Sequence, residues 1–214
     1  MIIISRMNRK ASLHLSKVDK KLARVIRKVG PVHVTQPKGV TPYRSLVEAV
    51  AHQQLTGKAA RTILGRVLAL FPGKKFPSPV DLVKTPNRKL RAAGFSWAKV
   101  AAVKDIAAKT LEGVVPTSRA MAKLSDAEII ERLTSVRGVG PWTVEMLLIF
   151  TLGRPDVLPA TDYGVRKGFA LVYRLKELPA PKVLLAYGER WKPHRSAAAW
   201  YLWRACDLQA TIEK

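Results

Sequence analysis

The sequence predicts an all-α fold in two lobes, and three observations predict it. Apolar residues recur at helical spacing in one segment after another, glycine, proline and polar caps punctuate those segments, and no run alternates with the period of a strand. On the order of ten helices joined by short linkers follow from this pattern. A hydrophobic content of 48 % over 214 residues is enough for a buried core, and no long internal repeat is visible.

Residues 1–30 carry nine Lys or Arg and one acid, with Leu22, Val25, Ile26 and Val29 at helical spacing, so a basic helix is expected to end at Gly30. Three prolines interrupt "PVHVTQPKGVTP", after which Thr41 caps and Pro42 opens a helix whose apolar face holds Leu46, Val47 and Val50. Residues 58–70 repeat Ala59, Ala60, Ile63, Leu64, Val67 and Leu68 on one face. Short helices are expected over 80–83 and 87–93, with Gly94 as a stop. "SWAKVAAVKDIAAKTLEG" is amphipathic, with Val100, Val103 and Ile106 inward. Ser125 and Glu128 have capping-box spacing and open a helix that runs into "LTSVRGVGPWTVEM", residues 133–146. Further helices are expected over 141–152, 162–173, 182–191 and 195–208, with "GRPDVLPATD" as a loop. On this reading residues 1–40 are a basic segment packed on a helical body of residues 41–214.

Lys and Arg number 38 against 15 Asp and Glu, and the formal charge of +23 is spread along the whole length. Such a surface gains affinity for nucleic acid by releasing condensed counterions; an anionic membrane surface or a ribosomal site would select a similar charge. Cys206 is the sole cysteine, which excludes an internal disulfide and any site built on several thiolates. His14, His33 and His194 show no metal spacing. No apolar run reaches membrane-spanning length, and "MIIIS" is too short for a signal-peptide core. An intracellular protein is expected, in the cytoplasm and nucleoid of a bacterium or the nucleus of a eukaryote.

In the 133–146 stretch, Gly138 and Gly140 permit backbone angles that turn successive amides, those of Gly138, Val139 and Gly140, to one side. Together with the positive end of the helix beginning at Pro141 they form an anion site, suited to a DNA phosphate either directly or through a bridging monovalent cation. A tight interhelical turn with no ligand is the plainer reading, and the charge of +23 favours the phosphate. A dinucleotide fingerprint is excluded by the missing strand and the missing third glycine.

This hairpin, followed by "DVLPATDYGVRKGF", resembles the helix-hairpin-helix (HhH-GPD) DNA glycosylase superfamily. "AVAHQQLTGKAA", "GFSWAKVAAVKDIA" and "ERWKPHRSAAAWYLWR" are similar to segments of its alkylbase branch, the 3-methyladenine DNA glycosylase II type, so that the resemblance covers about residues 43–207. It implies a two-lobed helical fold with the active site in the interlobe cleft and without the N-terminal β domain of the bacterial prototype. It also implies an enzyme that flips a damaged base out of duplex DNA, acts as a monomer, needs no cofactor and no catalytic metal, and has no membrane partner.

Cleaving an N-glycosidic bond builds positive charge on the sugar, so the chemistry needs a fixed carboxylate and a water. Asp162 follows the loop and stands where the dipole of the next helix favours its ionised form. The residues alone leave it between catalysis and plain helix capping, and the resemblance puts the family's catalytic aspartate on it. Asp156 lies earlier in the loop and off the motif position. Related bifunctional enzymes keep a lysine two residues after the second hairpin glycine; here that position is Trp142, so no lyase step is expected and water is the nucleophile.

An alkylated purine is cationic and already a good leaving group, so stacking aromatics can hold it. Trp142, Tyr163, Tyr201, Trp200 and Trp203 are the candidates, Trp142 and Trp203 foremost by resemblance, while Trp191 and Trp200 are the ones expected in the core. Gln54 and Leu55 in "HQQLT" stand where the family keeps its wedge, with Gln53 beside them. Ser96 and Lys99 are candidates for backbone phosphate. Two rival readings are a non-catalytic helix-hairpin-helix module that binds DNA structure and a bifunctional oxidised-base glycosylase with lyase activity.

Overall fold

Thr41 and Ser125 start helices, as the spacing predicts. The computed structural model describes residues 2–34 and 36–212, with side chains over 9–34 and 36–209. Met1 and Thr35 of the basic segment, and residues 213–214 at the end of the helical body, lie outside the described residues. In chain order the helices are α1 (Ile2–Val18), α2 (Lys20–Val29), α3 (Pro42–His52), α4 (Gly57–Ala69), α5 (Pro79–Lys84), α6 (Asn87–Ala92), α7 (Trp97–Leu111), α8 (Ser118–Met121), α9 (Asp126–Thr134), α10 (Pro141–Met146), α11 (Tyr163–Tyr173), α12 (Pro181–Gly188) and α13 (Arg195–Ile212). A π-helical turn, Leu147–Thr151, prolongs α10, and a 3₁₀ turn, Glu189–Trp191, prolongs α12.

Thr41, Thr56, Ser96 and Thr117 each accept the amide three residues on, and Ser78 and Ser125 form full capping boxes with Asp81 and Glu128. There is no strand among the described residues, so the fold is all-α. None of the described helices is long and apolar enough to cross a membrane.

The chain divides into two compact units, Met1–Gln36 with Leu148–Lys214 and the intervening Pro37–Leu147. In the intervening unit α7 is the central helix and packs against α3 and α5. Its buried Val100, Val103 and Ile106 meet an interior that includes Leu46, Val47 and Val50 of α3 and Leu82 of α5, the inward faces that the periodicity predicts.

In the other unit α13 packs along α11 and α2. Their interface needs Gly168, since a Cβ there would overlap the backbone carbonyl of Leu202. The basic helix expected to end at Gly30 is α2, which runs to Val29 with Gly30 as its C-cap; Asp19 separates it from α1 and caps it by accepting the amides of Lys21 and Leu22 at 3.1 and 3.0 Å. This carboxylate is buried, and its second oxygen accepts the Tyr173 hydroxyl and, at 2.9 Å, the Trp191 indole N–H. Polar oxygens held away from water in this way need donors, and these tie α2 to α11 and to the 3₁₀ turn.

Candidate functional site

The hairpin lies in the Pro37–Leu147 unit and is built by α9, a turn and α10. At Gly138 the backbone has φ +77°, and an added Cβ would lie 2.7 Å from the Cβ of Ala102 on α7, so both conformation and packing require glycine. Gly140 is different. Its φ of −97° suits any residue, and a Cβ there would meet no protein atom within 4 Å. The space on the side-chain side of Gly140 is therefore open at the start of α10, whose N-terminus has no side-chain cap. Val139 departs from the expectation that its amide faces a ligand, because that amide donates to the Val136 carbonyl at 3.1 Å and its side chain is buried. The neighbouring Arg137 amide is held by Asp105 Oδ2 at 2.8 Å.

The loop after α3 is joined to this turn. The Gln53 side-chain amide donates to the Gly138 carbonyl at 3.0 Å. Next to it Gln54 is exposed and held in the left-handed region at φ 57°, and Leu55 is 39 % exposed. A non-glycine residue in that region costs about 1 kcal/mol or more, which the loop sustains while presenting two side chains outward. Ser96 and Lys99 are occupied within the unit. Ser96 caps α7 through the Lys99 amide at 3.2 Å, and Lys99 Nζ donates to the Ala51 carbonyl at 2.8 Å, closing the last turn of α3 just before the Gln53 loop. Partial burial there holds the Lys99 ammonium below its usual range. Trp142, in the first turn of α10, is 42 % exposed.

In the unit of α11 and α13, Asp162 is the N-cap of α11. Its Oδ1 accepts the Val165 amide at 2.7 Å and the indole N–H of Trp203 at 2.8 Å. Trp203 is half-buried on α13, with the Phe150 ring 5.7 Å away and tilted by 30°. Tyr163, the residue after Asp162, is 65 % exposed. Tyr201 does not join them. It has no exposed surface, and its hydroxyl donates to the Gly30 carbonyl at 2.9 Å and meets Ser12 Oγ at 2.7 Å, so it belongs to the core rather than to a pocket. Trp191 is also fully buried.

Asp156 is taken by a two-pronged ion pair, with Arg195 Nε on Oδ1 at 2.8 Å and Nη2 on Oδ2 at 3.0 Å. Its occupied carboxylate has the marks of a structural group.

Two contributors escaped the sequence reading. One is Phe150, which stands in the π turn and meets Trp203. The other is Gly164, where a Cβ would lie 2.8 Å from Trp203 Cδ1 and 3.2 Å from Asp162 Oδ1. The spacing of Gly164 and Gly168, one helical turn apart, is the signal of a close helix approach that was there to be read.

Residues 47–194 match the family described as the HhH-GPD superfamily base excision DNA repair protein. The chain is 42 % identical over 202 residues to DNA-3-methyladenine glycosylase 1 of Schizosaccharomyces pombe, covering 93 % of this chain and 88 % of that protein. It is similar in structure to the 3-methyladenine DNA glycosylase of that yeast in complex with abasic DNA, with a TM-score of 0.82 over 91 % of this chain and 95 % of the other at 42 % identity. A DNA-3-methyladenine glycosidase from Bacillus halodurans superposes with a TM-score of 0.83 at 32 % identity, covering 92 % of this chain and 89 % of that one.

Proposed function

The chain belongs to the HhH-GPD superfamily of base excision DNA repair proteins, and from that premise we propose that it is a monofunctional DNA glycosylase that removes alkylated bases from duplex DNA. Its substrates are methylated purines of the 3-methyladenine and 7-methylguanine type. The observation that carries this reading is the Asp162 carboxylate, held at the head of α11 by the Val165 amide and the Trp203 indole beside the exposed ring of Tyr163.

The reaction asks little of the protein beyond placement of charge. The cationic base leaves as a neutral molecule, and positive charge grows on the sugar as the bond opens. Asp162 stabilises that charge and orients the water that adds to the sugar, leaving an abasic site. Trp203 and Tyr163, in the same unit as Asp162, supply faces on which a cationic ring stacks. Gln54 and Leu55 fill the gap left in the base stack, an assignment supported by their outward placement on a strained loop. The open space beside Gly140 supports a phosphate contact that fixes register and carries no base information. Trp142 in the place of a lyase lysine supports hydrolysis over a Schiff-base route.

The test compares wild type with Asp162→Asn on methylated duplex DNA. Wild type is expected to release free base, and the variant to bind abasic duplex normally while releasing base at least about a hundredfold more slowly. Equal release by the two proteins overturns the role of Asp162. Release by neither, with DNA binding intact, identifies a non-catalytic DNA-binding module, and a borohydride-trapped protein–DNA adduct identifies a lyase.

A further inference from the structure

We infer that Gly164 and Trp203 form a positioning pair that sets the direction of the Asp162 carboxylate, an inference that rests on Asp162 being the catalytic group. An aspartate side chain turns easily about its last torsion, which is broad and nearly two-fold. One hydrogen bond leaves that rotation loose. Here two N–H groups, from Val165 at 2.7 Å and Trp203 at 2.8 Å, converge on the same oxygen, Oδ1. The first belongs to α11 itself and forms wherever an aspartate caps a helix. The second comes from α13, 41 residues away in sequence, and couples the carboxylate to the packing of a different helix.

That second bond depends on the absence of one atom. A Cβ on Gly164 would lie 2.8 Å from Trp203 Cδ1 and 3.1 Å from Nε1, the nitrogen that carries the bonding proton. Gly164 lies in the first turn of α11 at a helical φ, so its backbone does not call for glycine. Its missing Cβ leaves room for the indole first and, at 3.2 Å, for Asp162 Oδ1. The indole has little freedom to yield, because the Phe150 ring stands 5.7 Å from it, and Cys206, one turn on, donates its thiol to the Gly164 carbonyl at 3.4 Å. Trp203 and Cys206 thus straddle Gly164, and an added methyl group has to displace the indole from Asp162. Alanine is a better helix former than glycine, so the substitution favours α11 locally while breaking the contact.

Two measurements test this on the full chain. In the first, the indole N–H resonance of ¹⁵N-Trp-labelled protein, assigned by its disappearance in Trp203→Phe, is expected to move on Asp162→Ala and to move likewise on Gly164→Ala. A resonance that Gly164→Ala leaves in place overturns the inference. In the second, single-turnover base release is expected to fall about tenfold to a hundredfold in Gly164→Ala and in Trp203→Phe, with folding and affinity for undamaged duplex retained. The double variant is expected to be no slower than Trp203→Phe alone, because both changes break one bond. Losses that multiply in the double variant overturn the shared role. A wild type that releases no base counts against the proposed function, and the resonance experiment then still decides whether Gly164 governs the contact.

Discussion

The side-chain amide of Gln53 donates to the backbone carbonyl of Gly138 at 3.0 Å, joining the loop after α3 to the hairpin turn across 85 residues of sequence. The two segments proposed to enter the DNA stack and to hold its backbone are therefore one mechanical piece. Gln53→Ala is expected to cost no more than about 1 kcal/mol of stability, since the bond is exposed, yet to weaken binding to an abasic duplex about threefold to tenfold. Gln53→Glu places an acceptor against an acceptor and is expected to be worse. Fluorescence anisotropy with a labelled duplex decides, and wild-type affinity in both variants disproves the coupling.

Gly138 and Gly140 are expected to separate stability from binding. Gly138→Ala meets both a positive φ and the Ala102 Cβ at 2.7 Å, so a loss of about 1–3 kcal/mol is expected in thermal or urea unfolding. Adding Ala102→Gly should recover only the part due to the clash. Gly140→Ala meets neither obstacle and should unfold within about 0.5 kcal/mol of wild type while binding duplex DNA less tightly. A large loss of stability in Gly140→Ala would show that Gly140 has an internal use.

Asp156 and Asp162 stand six positions apart in the same loop region, and their partners predict opposite phenotypes. Asp156→Asn breaks the pair with Arg195, whose side chains are 19 % and 27 % exposed for Arg and Asp, and is expected to cost about 1–2 kcal/mol. Its base release at a temperature where it is folded should be close to that of wild type. A stable Asp156→Asn protein without activity would reverse the assignment of the two acids.

His194 gives the protein a pH response. Burial first, and then the facing His14 ring at 5.2 Å, hold the His194 imidazole below its ordinary value of 6.5, with Asp156 pulling the other way. The unfolded chain therefore takes up this proton at higher pH than the folded one. Stability present above pH 6.5 is lost as the pH falls through that value and on through the lower folded value. Thermal unfolding between about pH 7 and pH 5 should show a falling Tm that flattens in His194→Gln. An unchanged slope in that variant would move the response to other groups.

Much of the fold was legible because helix signals are local. The capping box of Ser125 with Glu128, the Thr41–Pro42 start and the inward faces of α3 and α7 all depend on residues within one or two turns of each other. The burial of Asp19 was not legible, because a lone acid among lysines reads as a surface charge until Tyr173 and Trp191 close on it. Tyr201 misled for the same reason. Its sequence neighbours, Trp200 and Trp203, suggest an aromatic pocket, and only the positions of Ser12 and Gly30 turn its hydroxyl into the core.

By itself the sequence determined the all-α character, the helix starts, the hairpin with its two glycines and the aspartate at the head of α11, since each is written in residues that interact with near neighbours. Tertiary structure alone decided which of the residues near that aspartate act on it. Trp203 reaches Asp162 over 41 positions, Arg195 claims Asp156 over 39, and Gly138 has to be glycine partly because α7 brings Ala102 against it. Such contacts depend on how closely two helices approach, a distance fixed by the packing of whole faces and absent from the local pattern of either helix.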